Sequence, residues 1–457
     1  MRQYSSPSDR APYGGLLDQL SGDAEVDREL SDAGWLQALL DVEAALVRAQ
    51  ASTGMVAAGD VVEQVDRACR ADAYDPAEIG RAALAAGNPV VPLVRELESR
   101  VPEAARPYIH RGATSQDVLD TAVVLLCGRS LQPLLARLDA CCDAMAALAD
   151  AHRATPMPAR TLLQQALPTT FGLVTAGWLA AVSDARDELS RTAGRLRLQF
   201  GGAAGTLASL GDQGLLVIAA LSRELGLPQP VLPWDTDRQR IVGFGSSLGT
   251  VLGALGKVAT DIALLAQTEV GEVREGAAGG RGGSSTLPHK QNPVGSVLAR
   301  AAAARAPGLV ATLAGCMVQE HQRAAGAWHA EWEPLRELLH LAGGAAGNVQ
   351  AALDGLQVDT EQMRANLDRT GGLLLAEAVT ARLGPSLGRQ AAHDLVQHLS
   401  RDAAARGVPF RDVLLDDERV REHLGEAGVD AALDPAAYLG SADAFVDRAL
   451  AAYRERS

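Results

Sequence analysis

A chain of 457 residues is longer than one hydrophobic core supports, since single cores stop growing near roughly 250 to 300 residues, so two or three domains are expected. The 47% hydrophobic and 21% charged content is that of a globular protein and excludes a disordered chain. A net charge of -14 argues against general nucleic-acid binding, which needs a basic face, but leaves room for an anionic substrate held by a few arginines and lysines in one cleft.

Aromatic residues make up 4% of a chain rich in alanine and leucine, which favours close helix packing over strands, so the fold class expected is all-α. Residues 1–30, with Ser5, Pro7, Pro12, Gly14 and Gly15, read as a flexible arm without the apolar run of an export signal. From Ser31 or Asp32 a helix is expected, because Trp35, Leu36, Leu39, Leu40, Val42 and Leu46 fall at helical spacing. A short helix follows near Val61–Cys69, and Ala86, Gly87, Asn88 and Pro89 mark a loop. The next helix runs from Ser115 to about Ala151, interrupted or kinked at Pro133, and further apolar stretches cover Pro168–Leu198, Ser209–Leu225 and Ser246–Glu275. Helices this long gain most of their stability from neighbours, so a bundle is expected. Thr161–Ser183 has no charge and the length of a membrane span, yet Gln164, Gln165, Pro168 and Gly172 make it a buried bundle helix with a loop before it. No long β-alternation is seen. The expected division is the arm, then helical domains over 31–112, 113–357 and 358–457. The cysteines Cys69, Cys127, Cys141, Cys142 and Cys316 lack metal-ligand spacing and read as reduced thiols of a cytoplasmic protein.

Three stretches carry chemistry. The first is Gly280-Arg281-Gly282-Gly283-Ser284-Ser285-Thr286-Leu287-Pro288-His289-Lys290-Gln291-Asn292-Pro293, a glycine-rich loop followed by hydroxyls, a lysine and an Asn-Pro helix start. The second is His110-Arg111-Gly112-Ala113-Thr114-Ser115-Gln116-Asp117, which sets hydroxyls and free backbone N–H groups at a helix start, suited to an anion. The third is Arg160-Thr161-Leu162-Leu163-Gln164-Gln165.

The first string resembles the signature of the fumarase/aspartase superfamily, the second its His-x-Gly-x-Thr-Ser pattern, and the third the segment where fumarases carry Arg-Thr-His. The resemblance spans about residues 31–450 and implies a three-domain fold whose long central bundle forms a homotetramer, with active sites shared between subunits. It implies Ser284 as catalytic base on a mobile loop, with Ser285, Lys290 and Asn292 holding the carboxylate beside the carbon that exchanges a proton. Thr114 and Ser115 would clamp another carboxylate, with Thr161 and Gln165 nearby. Abstraction beside a carboxylate builds up a dianion, and the Lys290 ammonium can stabilise it. Leu162 stands at the histidine position. A leaving hydroxide or amine needs a proton donor, whereas a carboxylate or nitrite departs as a weak base.

That departure disfavours fumarase and adenylosuccinate lyase activities and fits a 3-carboxy-cis,cis-muconate cycloisomerase, which read backwards eliminates a carboxylate. Leu198–Leu207, Met317–Arg323, Trp328–Trp332 and Leu433–Ser441 also resemble that subfamily. Pro233–Arg240 does so with Asp235 in place of a usual histidine, and Arg323 and Arg238 are candidates for binding carboxylates. The substrate expected is a small di- or tricarboxylate. Alternatives are a lyase releasing a weakly basic anion from a substituted succinate, such as a nitrosuccinate lyase, and a helical scaffold without catalysis. No zinc, phosphate-loop or dinucleotide motif occurs in the sequence, so no metal or cofactor is expected, nor a nucleic-acid or membrane partner.

Overall fold

The computed structural model describes residues 15–56, 59–276, 282, 283, 286, 287 and 289–456. The fold is all-α, as expected. In chain order the helices are α1 (Ala24–Leu30), α2 (Asp32–Ser52), α3 (Asp60–Ala68), α4 (Pro76–Ala86), α5 (Val90–Arg100) and α6 (Ser115–Ala151). After β1 (Pro156–Thr161) and β2 (Gln164–Thr170) come α7 (Phe171–Ala193), α8 (Gly214–Leu225) and α9 (Gln239–Leu265). The chain continues with β3 (Val273–Arg274), α10 (Val294–Gly315), α11 (Ala327–Ala330), α12 (Trp332–Asp354) and β4 (Gln357–Val358). It ends with α13 (Thr360–Asp368), α14 (Ala376–Leu387), α15 (Arg389–Arg406), α16 (Phe410–Asp416), α17 (Glu418–His423), α18 (Gly425–Ala432) and α19 (Ala442–Arg454).

By packing density the chain forms two compact units, one of residues 1–138, 184–256 and 298–348, the other of residues 139–183, 257–297 and 349–457. In the first unit α2 starts as its sequence predicts, Ser31 Oγ capping the Gly34 N–H at 3.1 Å. The segment expected to be an arm nevertheless contains α1, because Asp23 caps Glu25 and Val26 and the helix buries Val26 and Leu30. That segment docks on α12: Ser21 Oγ and Asp27 Oδ1 lie 2.9 and 2.7 Å from the two ring nitrogens of His340. A Cβ at Gly344 would meet the Ser21 carbonyl oxygen at 1.8 Å, so only glycine permits this approach. Between α2 and α8 lies a core of Leu46, Leu198, Phe200, Leu207, Val217 and Leu221. Helix α6 is a single assigned helix with Pro133 inside it rather than two pieces.

In the second unit Val379, Leu395, Phe410, Val413 and Val420 make one core of the C-terminal helices. The stretch before α7, expected as loop, is the antiparallel hairpin β1–β2, with Thr161 opposite Gln164 and a register irregularity between Pro158 and Arg160. Its sequence hides it: Pro156, Pro158 and Pro168 interrupt the alternation, and the two-residue turn is Leu162-Leu163 rather than the usual Asn-Gly.

Candidate active site

In the first unit Thr114 closes the start of α6, its carbonyl accepting from the Asp117 N–H at 3.0 Å. Thr114 and Ser115 are both half-buried, and the side chain below them is Asp117. Its carboxylate is 1% exposed and accepts four hydrogen bonds: Thr114 N–H at 3.0 Å and Gly202 N–H at 2.8 Å on Oδ2, Gly201 N–H at 2.9 Å and Gln199 Nε2 at 3.0 Å on Oδ1. Burial pushes Asp117 up to about 6, the donors to it and the nearby Asp235 acting in opposite senses on that value. The bonds tie the start of α6 to the glycine-rich joint at 201–202. An asparagine at 117 turns an amide NH2 toward two of the four donors whichever way it flips, so Asp117→Asn is expected to destabilise the fold by roughly 1 to 3 kcal/mol per orphaned donor. Because the folded value lies above the unfolded 3.8, the group stabilises most below pH 3.8 and loses that contribution as pH rises through about 6. The deficit of Asp117→Asn in urea denaturation should therefore narrow from pH 4 to 6 and stay level above.

Arg238 and Arg323, the candidate carboxylate binders, are both engaged within the chain. Arg238 is 2% exposed and sits between Asp120 and Glu331, with contacts of 2.8 and 3.0 Å to the first and 2.7 to 3.1 Å to the second. Its guanidinium also lies 4.9 Å from the Trp234 ring centre. Burial disfavours its charge, but the two carboxylates outweigh that and hold the guanidinium firmly protonated. Glu331 is raised by its own burial against the pull of Arg238. Arg323 spends its donors on Gln116 Oε1 and Asp235 Oδ1, both at 2.8 Å, and on the Gly202 and Ala203 carbonyls at 2.6 and 3.3 Å. Asp235, in place of the usual histidine, is thus an internal counter-ion 7% exposed rather than a surface charge. Its carboxyl is raised by burial, with Arg323 opposing. Both arginines are thus held by acids, amides and carbonyls of the first unit, Arg238 buried and Arg323 half-buried.

In the second unit the hairpin carries Thr161 and Gln165. Arg160 makes a two-pronged pair with the fully buried Glu272, at 2.6 and 2.9 Å, and Asn366 Nδ2 donates to the same carboxylate at 2.7 Å. Gln165 Nε2 donates to the Asn366 carbonyl at 3.0 Å, while its Oε1 is buried and meets no donor among the described residues. Thr161 is exposed. The tip is unusual in two respects. Leu162 and Leu163 have φ of 52° and 64°, a left-handed backbone that costs a side-chain-bearing residue roughly 1 to 2 kcal/mol, and they are 97% and 76% exposed. Leu162 and Leu163 thus form a strained, exposed apolar tip on a hairpin whose base is held by buried hydrogen bonds.

Ser284 and Ser285 lie outside the described residues. Around them the chain closes on itself, Gly283 pairing with Gln291, and the Asn292 N–H and Nδ2 both donating to the Gly282 carbonyl at 2.8 and 3.1 Å. Asn292, expected to hold substrate, thus spends a side-chain donor on the neck of the loop. A Cβ at Gly282 would meet the Asn292 carbonyl at 2.5 Å, and its φ is +80°, so both the space and the backbone require glycine there. Lys290 is exposed, with no ion pair among the described residues. Helix α10 begins just beyond, its Gly295 and Ser296 N–H groups capped at 3.0 and 2.9 Å by Glu275 from the far side of the loop. The described contacts hold the residues on either side of Ser284 and Ser285 together at Gly282, Gly283, Gln291 and Asn292.

A family model described as "Lyase" matches residues 22–308, and one described as "Adenylosuccinate lyase C-terminus" matches residues 372–449. The chain belongs to this lyase family of the fumarase/aspartase superfamily. It is 49% identical over 444 residues to a 3-carboxy-cis,cis-muconate cycloisomerase of Pseudomonas aeruginosa, covering 96% of both chains. It is also 45% identical to a nitrosuccinate lyase of Streptomyces davaonensis, covering 95% of this chain and 94% of that one. Among solved structures, the 3-carboxy-cis,cis-muconate lactonizing enzyme of Pseudomonas putida superposes with a TM-score of 0.91 at 44% identity, over 96% of this chain and 99% of that chain.

Proposed function

We propose that this chain is a cycloisomerase that converts 3-carboxy-cis,cis-muconate to 4-carboxymuconolactone, a step of aromatic breakdown. The observation that carries the reading is the near full-length identity to enzymes of that name, joined to Leu162 where a proton-donating histidine would serve lyases with basic leaving groups. One carboxylate of the substrate adds to a double bond of the same molecule, and the carbon beside another carboxylate takes a proton. Ser284 exchanges that proton, and Lys290 offsets the charge that gathers on the neighbouring carboxylate. Thr114 and Ser115 supply hydroxyls and the first N–H groups of α6 for a second carboxylate. Thr161 and Gln165, whose Oε1 meets no donor among the described residues, complete the substrate's surroundings from the hairpin.

Members of this superfamily act as oligomers on small carboxylates. The specific assembly proposed is a homotetramer in the cytoplasm, built on domains divided near residues 112 and 357, with each active site drawing on several chains. The uncovered apolar surface supports it. Helices α6, α9 and α10 are long and apolar enough to cross a membrane, and only 22% of the most apolar stretch of α10 is buried. Arg300 and Arg305 in α10 suit a protein neighbour better than lipid.

A second reading, elimination of nitrite from nitrosuccinate, is favoured by the Streptomyces relative and needs the same weakly basic leaving group. Offering both compounds to the purified protein separates them. Loss of ultraviolet absorbance from 3-carboxy-cis,cis-muconate at a kcat/KM at least about 100-fold above that for nitrite release is the result expected, within the usual span of specific enzymes. The reverse order would transfer the chain to the lyases.

A further inference from the structure

A buried histidine in the first unit has no part in the reaction described so far. The His340 side chain, in α12, is 1% exposed, and its ring nitrogens meet residues 319 and 313 positions earlier in the chain. Nδ1 lies 2.7 Å from Asp27 Oδ1, and Nε2 lies 2.9 Å from Ser21 Oγ. An ionised carboxylate only accepts, so in the neutral imidazole Nδ1 carries the proton toward Asp27, and the Nε2 lone pair faces the serine O–H. The other acceptor of that hydroxyl, the Asp18 carbonyl, is more distant at 3.3 Å. Ser21 is half-buried and lies between the single helical turn Asp18–Leu20 and α1. Gly22 brings the backbone directly against the histidine and the acid, since a Cβ there would meet Asp27 Oδ2 at 2.0 Å and His340 Cε1 at 2.5 Å.

We propose that Ser21 is a nucleophile for acyl transfer, with His340 as its general base, Asp27 as the residue that positions the ring, and a neutral ester with a good leaving group as the acyl donor. The inference goes beyond the carboxylate chemistry and uses none of the residues assigned to it. An activated serine has two geometric requirements: a base within hydrogen-bond reach of the hydroxyl, and a third group that orients the base. Both are met here. A seat for the amino-terminal segment could be made by any polar pair, whereas the order hydroxyl, imidazole, carboxylate is the one that draws a proton off a serine. In the first step Ser21 Oγ bonds to the ester carbonyl carbon while its proton passes to His340 Nε2. The bond from that carbon to the leaving oxygen then breaks, and the leaving alkoxide or phenolate takes the proton from Nε2. Water next attacks the acyl-serine, its proton returns through Nε2 to Ser21 Oγ, and a carboxylic acid is released. The donor is neutral because Asp18 and Asp23 act on Asp27 from the same stretch of chain, with Arg137 already paired to Asp23 at 3.1 Å, so an anionic ester is repelled.

The test is covalent capture of the serine in the full chain. Diisopropyl fluorophosphate reacts with an activated serine by forming an O–P bond and releasing fluoride, while a serine without a base is too weak a nucleophile. Peptide mass analysis is expected to find the diisopropylphosphoryl group on Ser21 in the folded protein and not in the protein unfolded in urea. Asp27→Asn keeps the shape of the pair but favours the wrong tautomer, so it should slow the labelling by about 100-fold or more, within the range a general base contributes. Turnover of p-nitrophenyl acetate gives the second reading. The folded wild type should release p-nitrophenolate with an initial burst, and Ser21→Ala, which removes one hydroxyl from a turn, should lose the burst. An unlabelled Ser21 in the folded wild type, labelling equally fast in Asp27→Asn, or a burst retained by Ser21→Ala would each overturn the proposal. Since Ser21→Ala leaves the carboxylate site untouched, its turnover of 3-carboxy-cis,cis-muconate should equal that of the wild type, and a parallel loss of both activities would overturn the claim that Ser21 serves a separate reaction.

Discussion

Ser284→Ala is expected to lower kcat by at least about 1,000-fold while the assembly sediments as the wild type does, since removal of a group that moves a proton in the transition state costs in the range of 100- to 10,000-fold. The reason lies in what surrounds position 284 in the chain. The neck of the segment is closed by Gly283 with Gln291 and by Asn292 on the Gly282 carbonyl, and α10 starts on the Glu275 cap. None of these contacts involves the Ser284 hydroxyl, so the substitution leaves the frame standing. A serine is a weak base at its ordinary acidity and needs positive charge and N–H groups to hold its proton off. Lys290 is the charge available, and Lys290→Met should therefore produce a comparable fall. Turnover undiminished in Ser284→Ala would remove that hydroxyl from the mechanism.

The second large effect is expected at the hairpin tip. Leu162 and Leu163 hold a left-handed turn for which Asn-Gly is far better suited. If the tip were only a turn, Leu162→Asn with Leu163→Gly would relieve about 1 to 2 kcal/mol of strain per residue and leave activity alone. In the shared-site account the two side chains are buried against substrate or a neighbouring subunit, each worth about 1.5 to 3 kcal/mol. The double variant should then weaken the tetramer in dilute sedimentation runs and lose at least about 10-fold in kcat/KM, although its hairpin is better formed. Full activity with unaltered assembly would reduce the tip to a surface turn.

Much of this was legible in the sequence, for identifiable reasons. Ser31 before a stripe of leucines and Ser115 after Thr114 mark helix starts by local chemistry alone, and both starts are where the residues place them. The hairpin was not legible, because its prolines break the period and its turn uses residues poorly suited to it. Helix α1 was masked by the polar, turn-rich stretch before it. The partners of the buried charges were hidden for a different reason: Arg238 finds Asp120 and Glu331, and His110 finds Glu43, across tens to more than a hundred positions. The motif around an arginine does not show the distant acids that pair with it. Asp235 shows the same effect, since only its pairing with Arg323 tells that the exchanged residue is an internal counter-ion.

The most direct measurement is turnover of 3-carboxy-cis,cis-muconate in D2O followed by mass and NMR analysis of the product. The account predicts 4-carboxymuconolactone with a single deuterium on the carbon beside the carboxylate, delivered to one face only, and none formed at a comparable rate by Ser284→Ala. A lactone without deuterium, deuterium on both faces, or an equal rate from the alanine variant would contradict proton delivery by that serine.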